Sequence, residues 1–147
     1  MPDLETQTTR SIQSTMQGKK PTQAQVQAIV AFLRTLPPAP GLDRLTGKLD
    51  KETVRRGQQV FQKQGCATCH APPTYTSVKA YDVGLKDEVG NTHFNPPSLR
   101  GVSQGGPYFH DNRAATLEEV FTRYQHQLKN KPAKQDLEDL LGFLRSL

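Results

Sequence analysis

Two cysteines and a histidine stand together in the segment Gly65-Cys66-Ala67-Thr68-Cys69-His70, which holds both cysteines of the 147-residue chain. Two thiols three positions apart lie on a single turn of chain, so each can add to a different vinyl group of one porphyrin. The adjacent imidazole of His70 then reaches the iron from the same side. The spacing therefore predicts one covalently bound haem c, attached through Cys66 and Cys69, with His70 as the proximal iron ligand.

Three other uses of the two thiols compete with haem attachment. They are a structural disulfide, a thioredoxin-like redox pair and one half of a zinc site. A zinc site would need a second pair of cysteines or histidines at suitable spacing, which the sequence lacks. A redox pair usually sits between a strand and a helix, whereas the residues before Cys66 follow a helical pattern and those after it read as a loop. These comparisons favour covalent haem.

Two helices are predicted to position the attachment motif. Asp50 is a suitable N-cap for a helix that begins at Lys51, and Gly65 ends it. The last residues of the chain form an apolar stripe at helical spacing: Leu137, Leu140, Leu141, Leu144 and Leu147. Because Gly57 has no side chain, we expect the C-terminal helix to cross the first one near Gly57 and Phe61.

The composition predicts a thin protein core. Only 34% of the residues are hydrophobic, there is no tryptophan, and the mean hydropathy is −0.67. A bound haem would supply apolar volume that the side chains do not. The net charge of +5 comes from dispersed basic residues without a dense run, which argues against nucleic acid as a partner. No apolar run approaches the roughly 18 to 20 residues that span a bilayer, and we expect no transmembrane segment.

Two terminal helices around the Cys-x-x-Cys-His motif resemble the class I cytochrome c fold, an all-α haem domain with long loops. The segments Phe94–Val102 (FNPPSLRGV) and Gly106–Glu119 (GPYFHDNRAATLEE) are more specific. They resemble the C-terminal haem domain of bacterial di-haem cytochrome c peroxidases and of methylamine-utilisation di-haem enzymes, over residues 50–147. The chain has Asn112 where that family usually has glycine, and asparagine also tolerates the left-handed conformation.

Arg100 lies within the first of these segments. A planar guanidinium matches a carboxylate bidentately, so Arg100 is a candidate contact for a haem propionate. An arginine exposed on the surface without such a role is the alternative.

The N-terminal residues repeat the end of the chain. Leu4-Glu5 and Thr9-Arg10 match residues 117–118 and 122–123 at an offset of 113, and residues 32–36 (FLRTL) match residues 143–147 (FLRSL) at an offset of 111. Residues 1–36 are therefore interpreted as the closing helical segment of an upstream cytochrome-like repeat, amphipathic and opened by a capping box at Thr22. Residues 37–49 would be a Pro/Gly linker, and residues 50–147 a mono-haem cytochrome c domain.

The distal iron ligand has two main candidates. On a helix that continues from Leu117, Tyr124 would point inward and His126 would lie about 200° away. The family resemblance also places Tyr124 where a distal Met or Tyr is found. The repeat favours His126, because Met16 falls within one residue of it when both are counted back from the shared Lys-Pro, and Met and His are common axial ligands. His126 is preferred over Tyr124; an open site, His93 or a ligand from elsewhere are the other possibilities.

Two functions from different classes follow. The first is electron transfer through one covalent haem c, as the C-terminal module of a larger multi-haem or multi-domain protein. The second, implied by the resemblance, is the electron-accepting half of a di-haem cytochrome c peroxidase or a methylamine-utilisation-like oxidase. No catalytic residue is assigned. The expected partner is a redox protein or an upstream haem or catalytic domain, and the expected location is the periplasm, where haem is attached covalently.

Overall fold

The structure, a computed structural model, describes residues 3–147 and divides the chain into two compact units, 1–38 and 39–147. The first unit contains helix α1 (Leu4–Arg10), a π-helical turn (Ser11–Thr15) and helix α2 (Gln23–Thr35). The N-cap Thr22 exchanges hydrogen bonds with Gln25 through side chain and backbone, as the predicted capping box requires.

The second unit is helical apart from one pair of two-residue strands. Its elements, in chain order, are α3 (Leu42–Leu45), α4 (Lys51–Gln64), a 3-10 turn (Cys66–Thr68), β1 (Tyr81–Asp82), β2 (His93–Phe94), a second 3-10 turn (Val102–Gln104), α5 (Leu117–Thr122) and α6 (Lys134–Ser146). The strands pair antiparallel, with Tyr81 opposite Phe94. The predicted all-α class is confirmed. None of the helices within residues 3–147 is long and apolar enough to cross a membrane.

Helix α4 begins and ends where the sequence predicts. The Asp50 carboxylate accepts a hydrogen bond from the backbone N–H of Glu52, at 3.1 Å. At the other end Gly65 adopts a left-handed conformation with φ +82°, which stops the helix directly before the attachment motif. The helix therefore delivers the motif at a fixed position.

Helices α4 and α6 cross in direct backbone contact, at the predicted position. A Cβ atom at Gly57 would fall on the carbonyl oxygen of Asp139 and lie 2.7 Å from Cβ of Phe143. Gly142 makes the reciprocal approach, since a Cβ there would lie 2.5 Å from Cγ2 of Thr53. The buried core beside this crossing consists of Val60, Phe61, Ala114, Val120, Phe121, Leu140, Leu141, Phe143 and Leu144.

A buried ion pair also joins the two helices. Nε and Nη2 of Arg56 donate to the two carboxylate oxygens of Asp139, at 2.8 and 2.9 Å. The Asp139 side chain is only 3% exposed, and its hydrogen bonds with Arg56 lower the pKa of the carboxyl below its usual value. The bidentate geometry fixes the register of α6 on α4.

Candidate haem site

The attachment motif forms one tight turn after Gly65. The backbone N–H groups of Cys69 and His70 both donate to the carbonyl oxygen of Cys66, at 3.3 and 2.9 Å. This coil brings the two cysteines and the histidine onto one short stretch of chain. Both thiols are free rather than joined in a disulfide.

The two thiols occupy different environments. Cys66 packs against the core, and its burial raises the pKa of the thiol to about 11, against a smaller lowering by the charge of Lys129. Burial also raises the pKa of the Cys69 thiol. Both groups are therefore neutral thiols at pH 7 rather than reactive thiolates. This does not resemble a redox pair, in which one cysteine has a lowered pKa.

The His70 imidazole is held by two backbone carbonyl groups. Its Nδ1 lies 3.1 Å from the carbonyl oxygen of Tyr75 and 3.2 Å from that of Pro97. Because carbonyl oxygens only accept, Nδ1 carries the hydrogen and Nε2 keeps a free lone pair. Burial lowers the pKa of His70, although the two carbonyl contacts oppose this. A neutral imidazole with a fixed tautomer and a free Nε2 is the state that binds a metal.

A clamp between two loop segments, residues 73–76 and 96–100, places those carbonyl groups. The backbone N–H of Leu99 donates to the carbonyl oxygen of Tyr75 at 3.2 Å, and the Ser98 hydroxyl donates to that of Thr74 at 2.7 Å. Arg100 closes the clamp, since its Nε and Nη2 donate to the carbonyl oxygen of Pro73 at 3.1 and 2.8 Å. The guanidinium that the sequence suggested for a propionate is thus engaged with the backbone. The role of the clamp in orienting His70 was not predicted from the sequence.

The clamp role of Arg100 is testable by comparing two variants. Arg100→Lys keeps the charge but cannot donate bidentately, and Arg100→Met removes both charge and donors. If the clamp is the main role, both variants lose about 1 kcal/mol of unfolding free energy, measured by denaturant titration of the haem-loaded protein. A reduction potential that shifts in Arg100→Met and is unchanged in Arg100→Lys, with stability unaltered in both, would instead indicate a charge interaction with the haem.

His126 lies on a strained turn after α5. The helix ends at Thr122, so the helical projection used in the sequence analysis does not extend to residues 124–126. Gln125 and Gln127, on either side of His126, have φ values of +48° and +49°. Such left-handed non-glycine residues cost on the order of 1–3 kcal/mol each and concentrate at functional sites. The turn is tied back to α5 by a hydrogen bond from the His126 N–H to the carbonyl oxygen of Val120 at 3.1 Å.

The His126 ring is directed into the protein and lies close enough to His70 for their charges to interact. Burial, followed by repulsion from His70, lowers the pKa of His126 to about 4. Its contact with Phe109 is edge-to-face, with ring centroids 5.4 Å apart. His126 is therefore a neutral imidazole facing the same region as His70.

Tyr124 is oriented differently. Its hydroxyl donates to the carbonyl oxygen of Arg113 at 2.7 Å, and its ring packs edge-to-face on Phe109 with centroids 5.4 Å apart. The guanidinium carbon of Arg123 lies 5.3 Å from the ring centroid. The phenol oxygen is thus engaged with the backbone, and this geometry favours His126 over Tyr124.

His93, the third candidate, lies exposed on β2, and its Nδ1 is 3.1 Å from the hydroxyl of Thr92. Asn112 has φ +59°, so the left-handed turn expected at this departure from the family pattern is present.

The residues of this region fit a c-type haem. Two neutral thiols stand one turn apart, and two neutral imidazoles face one region, one of them with a free Nε2. Partly buried apolar side chains surround the core and would be covered by a porphyrin: Ala67, Tyr75, Leu99, Val102, Tyr108, Phe109, Leu117 and Leu128. No group of three or more His, Cys, Asp or Glu residues within 3–147 is arranged to hold a bare metal ion. The donor set suits an iron already held by a porphyrin.

The sequence model of the family described as cytochrome c matches residues 54–147. The chain belongs to the cytochrome c family. This match includes the attachment motif, the clamp segments and both distal candidates.

Similar proteins are di-haem enzymes by family. The chain is 30% identical over 120 residues to the methylamine utilization protein MauG of Methylorubrum extorquens, covering 64% of this chain and 34% of that protein. It is 33% identical over 109 residues to cytochrome c551 peroxidase of Nitrosomonas europaea, covering 62% and 33%. The chain thus spans about a third of the length of these relatives.

Solved structures share the fold across nearly the whole chain. A MauG-like protein associated with microbial copper homeostasis superposes with a TM-score of 0.73 at 22% identity, covering 98% of this chain and 65% of that one. Hydrazine synthase of Kuenenia stuttgartiensis gives the same TM-score and identity, covering 95% and 60%. At this identity the likeness concerns the fold alone.

Proposed function

We propose that this chain is an electron-transfer module with one covalently bound haem c. The observation that carries the proposal is the pair of neutral imidazoles, His70 and His126, which face one region from two separate loops. Two imidazole ligands leave no open iron position for a substrate, which is the arrangement of electron-transfer haems rather than of oxygen-activating ones.

The thiols of Cys66 and Cys69 would hold the haem in place. Each S–H adds across one vinyl double bond, so that sulfur bonds to one vinyl carbon and the hydrogen goes to the other, with no net oxidation. When bound, the haem supplies one-electron exchange between its ferric and ferrous states. Cys69 lies partly exposed, so one edge of the site comes close to the surface where a redox partner can approach.

The ligands are held by the fold. His70 is fixed by the carbonyl groups of Tyr75 and Pro97, which also raise the basicity of its free nitrogen. His126 is fixed by its strained turn and by the hydrogen bond to Val120. Ligands that are already in place before the electron arrives need little rearrangement when the charge of the site changes, which suits electron transfer.

A second candidate function is the electron-accepting half of a di-haem peroxidase or a MauG-like oxidase. The observation in its favour is the similarity to MauG and to cytochrome c551 peroxidase. In this case residues 1–36 would close an upstream haem domain, residues 37–49 would link it, and residues 50–147 would relay electrons to it. Either function places the protein in the periplasm, where covalent haem attachment takes place.

The number of haems and their attachment are tested by mass spectrometry under denaturing conditions. We expect the purified chain to be heavier than its polypeptide by the mass of one haem, and this increment to be lost in Cys66→Ser/Cys69→Ser. A redox titration should follow a single one-electron transition. An unmodified mass, or a mass increment that survives the double substitution, would refute attachment through these cysteines.

A further inference from the structure

The internal repeat is visible in the helices as well as in the letters. Helix α2, at residues 23–35, has the bounds of α6, at residues 134–146, shifted by 111 positions. Helices α1 and α5 begin at residues 4 and 117, with N-caps Asp3 and Thr116. In both, the N-cap side chain accepts a hydrogen bond from the N–H three residues later, at Thr6 and Glu119. Residues 3–36 thus reproduce the α5–α6 segment of the second unit.

The turns between these helices align around one position. Met16-Gln17-Gly18-Lys19 stands where the second copy has residues 126–129, His-Gln-Leu-Lys, and both turns continue to a Lys-Pro pair. The glutamine after the first residue is left-handed in both copies, with φ +53° at Gln17 and +49° at Gln127. Because this conformation is uncommon for a residue other than glycine, the shared geometry places Met16 at the position of His126.

The faces of the matching helices differ in burial. In α6 the side chains of Leu140, Phe143 and Leu144 are 0, 4 and 3% exposed, because they pack against α4 and the core around it. Their counterparts in α2 are 37, 62 and 38% exposed: Ile29, Phe32 and Leu33. Met16 itself is 74% exposed. Within the part of the chain that the structure describes, α2 lacks the cover that α6 has.

Helix α4 of a second copy does not suit this face. Ala31 stands where α6 has Gly142, and a Cβ there would clash with Cγ2 of Thr53. Ala28 stands where α6 has Asp139, so Arg56 would lose the carboxylate to which it donates two hydrogen bonds. The face is thus complementary to an α4-like helix that lacks these two side chains, which means a helix of a different haem domain.

We propose that residues 3–36 form the distal half of a second c-type haem site. The apolar face of α2 packs on the helix that precedes the attachment motif of another haem domain, and the thioether sulfur of Met16 binds the iron of that domain. The proposal rests on the proposed function, because it treats the chain as part of a multi-haem assembly. The two sites would then differ in distal ligand, and a thioether ligand gives a higher reduction potential than an imidazole.

A haem peptide tests this inference. The probe has the sequence of residues 50–70 with Thr53→Ala and Arg56→Ala, and it carries haem on its two cysteines with the sixth iron position open. The Thr53→Ala change is sufficient to remove the clash, since the Cβ atoms would be 3.7 Å apart. Added to the haem-loaded chain, the probe is expected to change from high to low spin and to show the far-red charge-transfer band of a methionine–iron bond.

Matched variants separate the ligand from the packing face. Met16→Ala should abolish the band and weaken probe binding by about tenfold or more, and Phe32→Ser should weaken binding to a similar degree. Val78→Ser, at a residue that is 86% exposed outside the repeat, is the control and should bind like the original chain. Met16→His should restore low spin with the signature of two imidazoles.

Equal binding by the original chain and Met16→Ala would overturn the ligand assignment, and equal binding by Phe32→Ser would overturn the docking face. The haem content and spin state of the chain itself are measured before the probe is added. A failure of the proposed function therefore appears in that first measurement, and a failure of this inference appears in the titration.

Discussion

Replacing His126 with alanine is expected to turn a low-spin haem spectrum into a high-spin one. Its ring is the imidazole that faces the His70 region, and no other side chain has been found there to take its place. Loss of a strong ligand opens the sixth iron position, so the variant should also bind cyanide and react with peroxide far faster than the original chain. Absorption and electron paramagnetic resonance spectra of the ferric protein measure the change directly.

Tyr124→Phe is the matched control for this substitution. It removes a hydroxyl that donates to the carbonyl oxygen of Arg113 and leaves the ring contact with Phe109 in place. We expect an unchanged spin state and a small loss of stability, about 1 kcal/mol for one hydrogen bond. If Tyr124→Phe alters the iron spectrum and His126→Ala does not, the phenol is the ligand and the oxidase alternative gains support. If neither alters it, both assignments are wrong and His93 is the next candidate.

The structural strain beside His126 explains why this ligand was hard to assign from the sequence. The helical pattern from Leu117 extends through Tyr124, but the helix ends at Thr122. The turn that follows uses left-handed glutamines rather than the glycines that usually mark this conformation. Local propensity therefore gave the wrong projection for Tyr124 and His126. The internal repeat, which compares two copies rather than one pattern, favoured His126.

Local signals were sufficient for the proximal side. The N-cap Asp50, the stop at Gly65 and the attachment motif all act within a few residues of chain, and each lies where it was predicted. The partners of His70 were not predictable in this way. They are backbone carbonyl groups of Tyr75 and Pro97, and Pro97 is 27 residues away in the sequence. A carbonyl group is present at every residue, so its use has no signature in the side-chain pattern.

The helix crossing falls between these two cases. Gly57 was predicted to admit α6, because a glycine on an apolar helix face is itself a signal. Its reciprocal partner Gly142 and the ion pair of Arg56 with Asp139 were missed, since both depend on the register of two helices that are about 80 residues apart. Composition indicates that helices pack together, but only the structure gives their register.

Gly57→Leu is expected to be the most destabilising of the single substitutions considered. Even a Cβ atom at this position falls on the carbonyl oxygen of Asp139, and that oxygen belongs to the α6 backbone and cannot rotate away. The helices must therefore separate, which also pulls Asp139 from Arg56. We expect a loss of about 3 kcal/mol or more in the free energy of unfolding, at the upper end of overpacking costs, measured by denaturant titration of the haem-loaded protein.

Gly57→Ala and Gly105→Ala form the matched pair for this prediction. The substitutions make the same chemical change, but a Cβ at Gly105 would lie 3.6 Å from the nearest atom, the carbonyl oxygen of Val102, in ordinary contact. Gly105 also has a φ of −102°, which any residue adopts. Gly57→Ala should thus lower the unfolding midpoint strongly, while Gly105→Ala leaves it unchanged or raises it slightly by restricting the unfolded chain. Equal midpoints for the two alanine variants would mean that α4 and α6 do not cross at Gly57, and the position of the attachment motif relative to α6 would have to be redrawn.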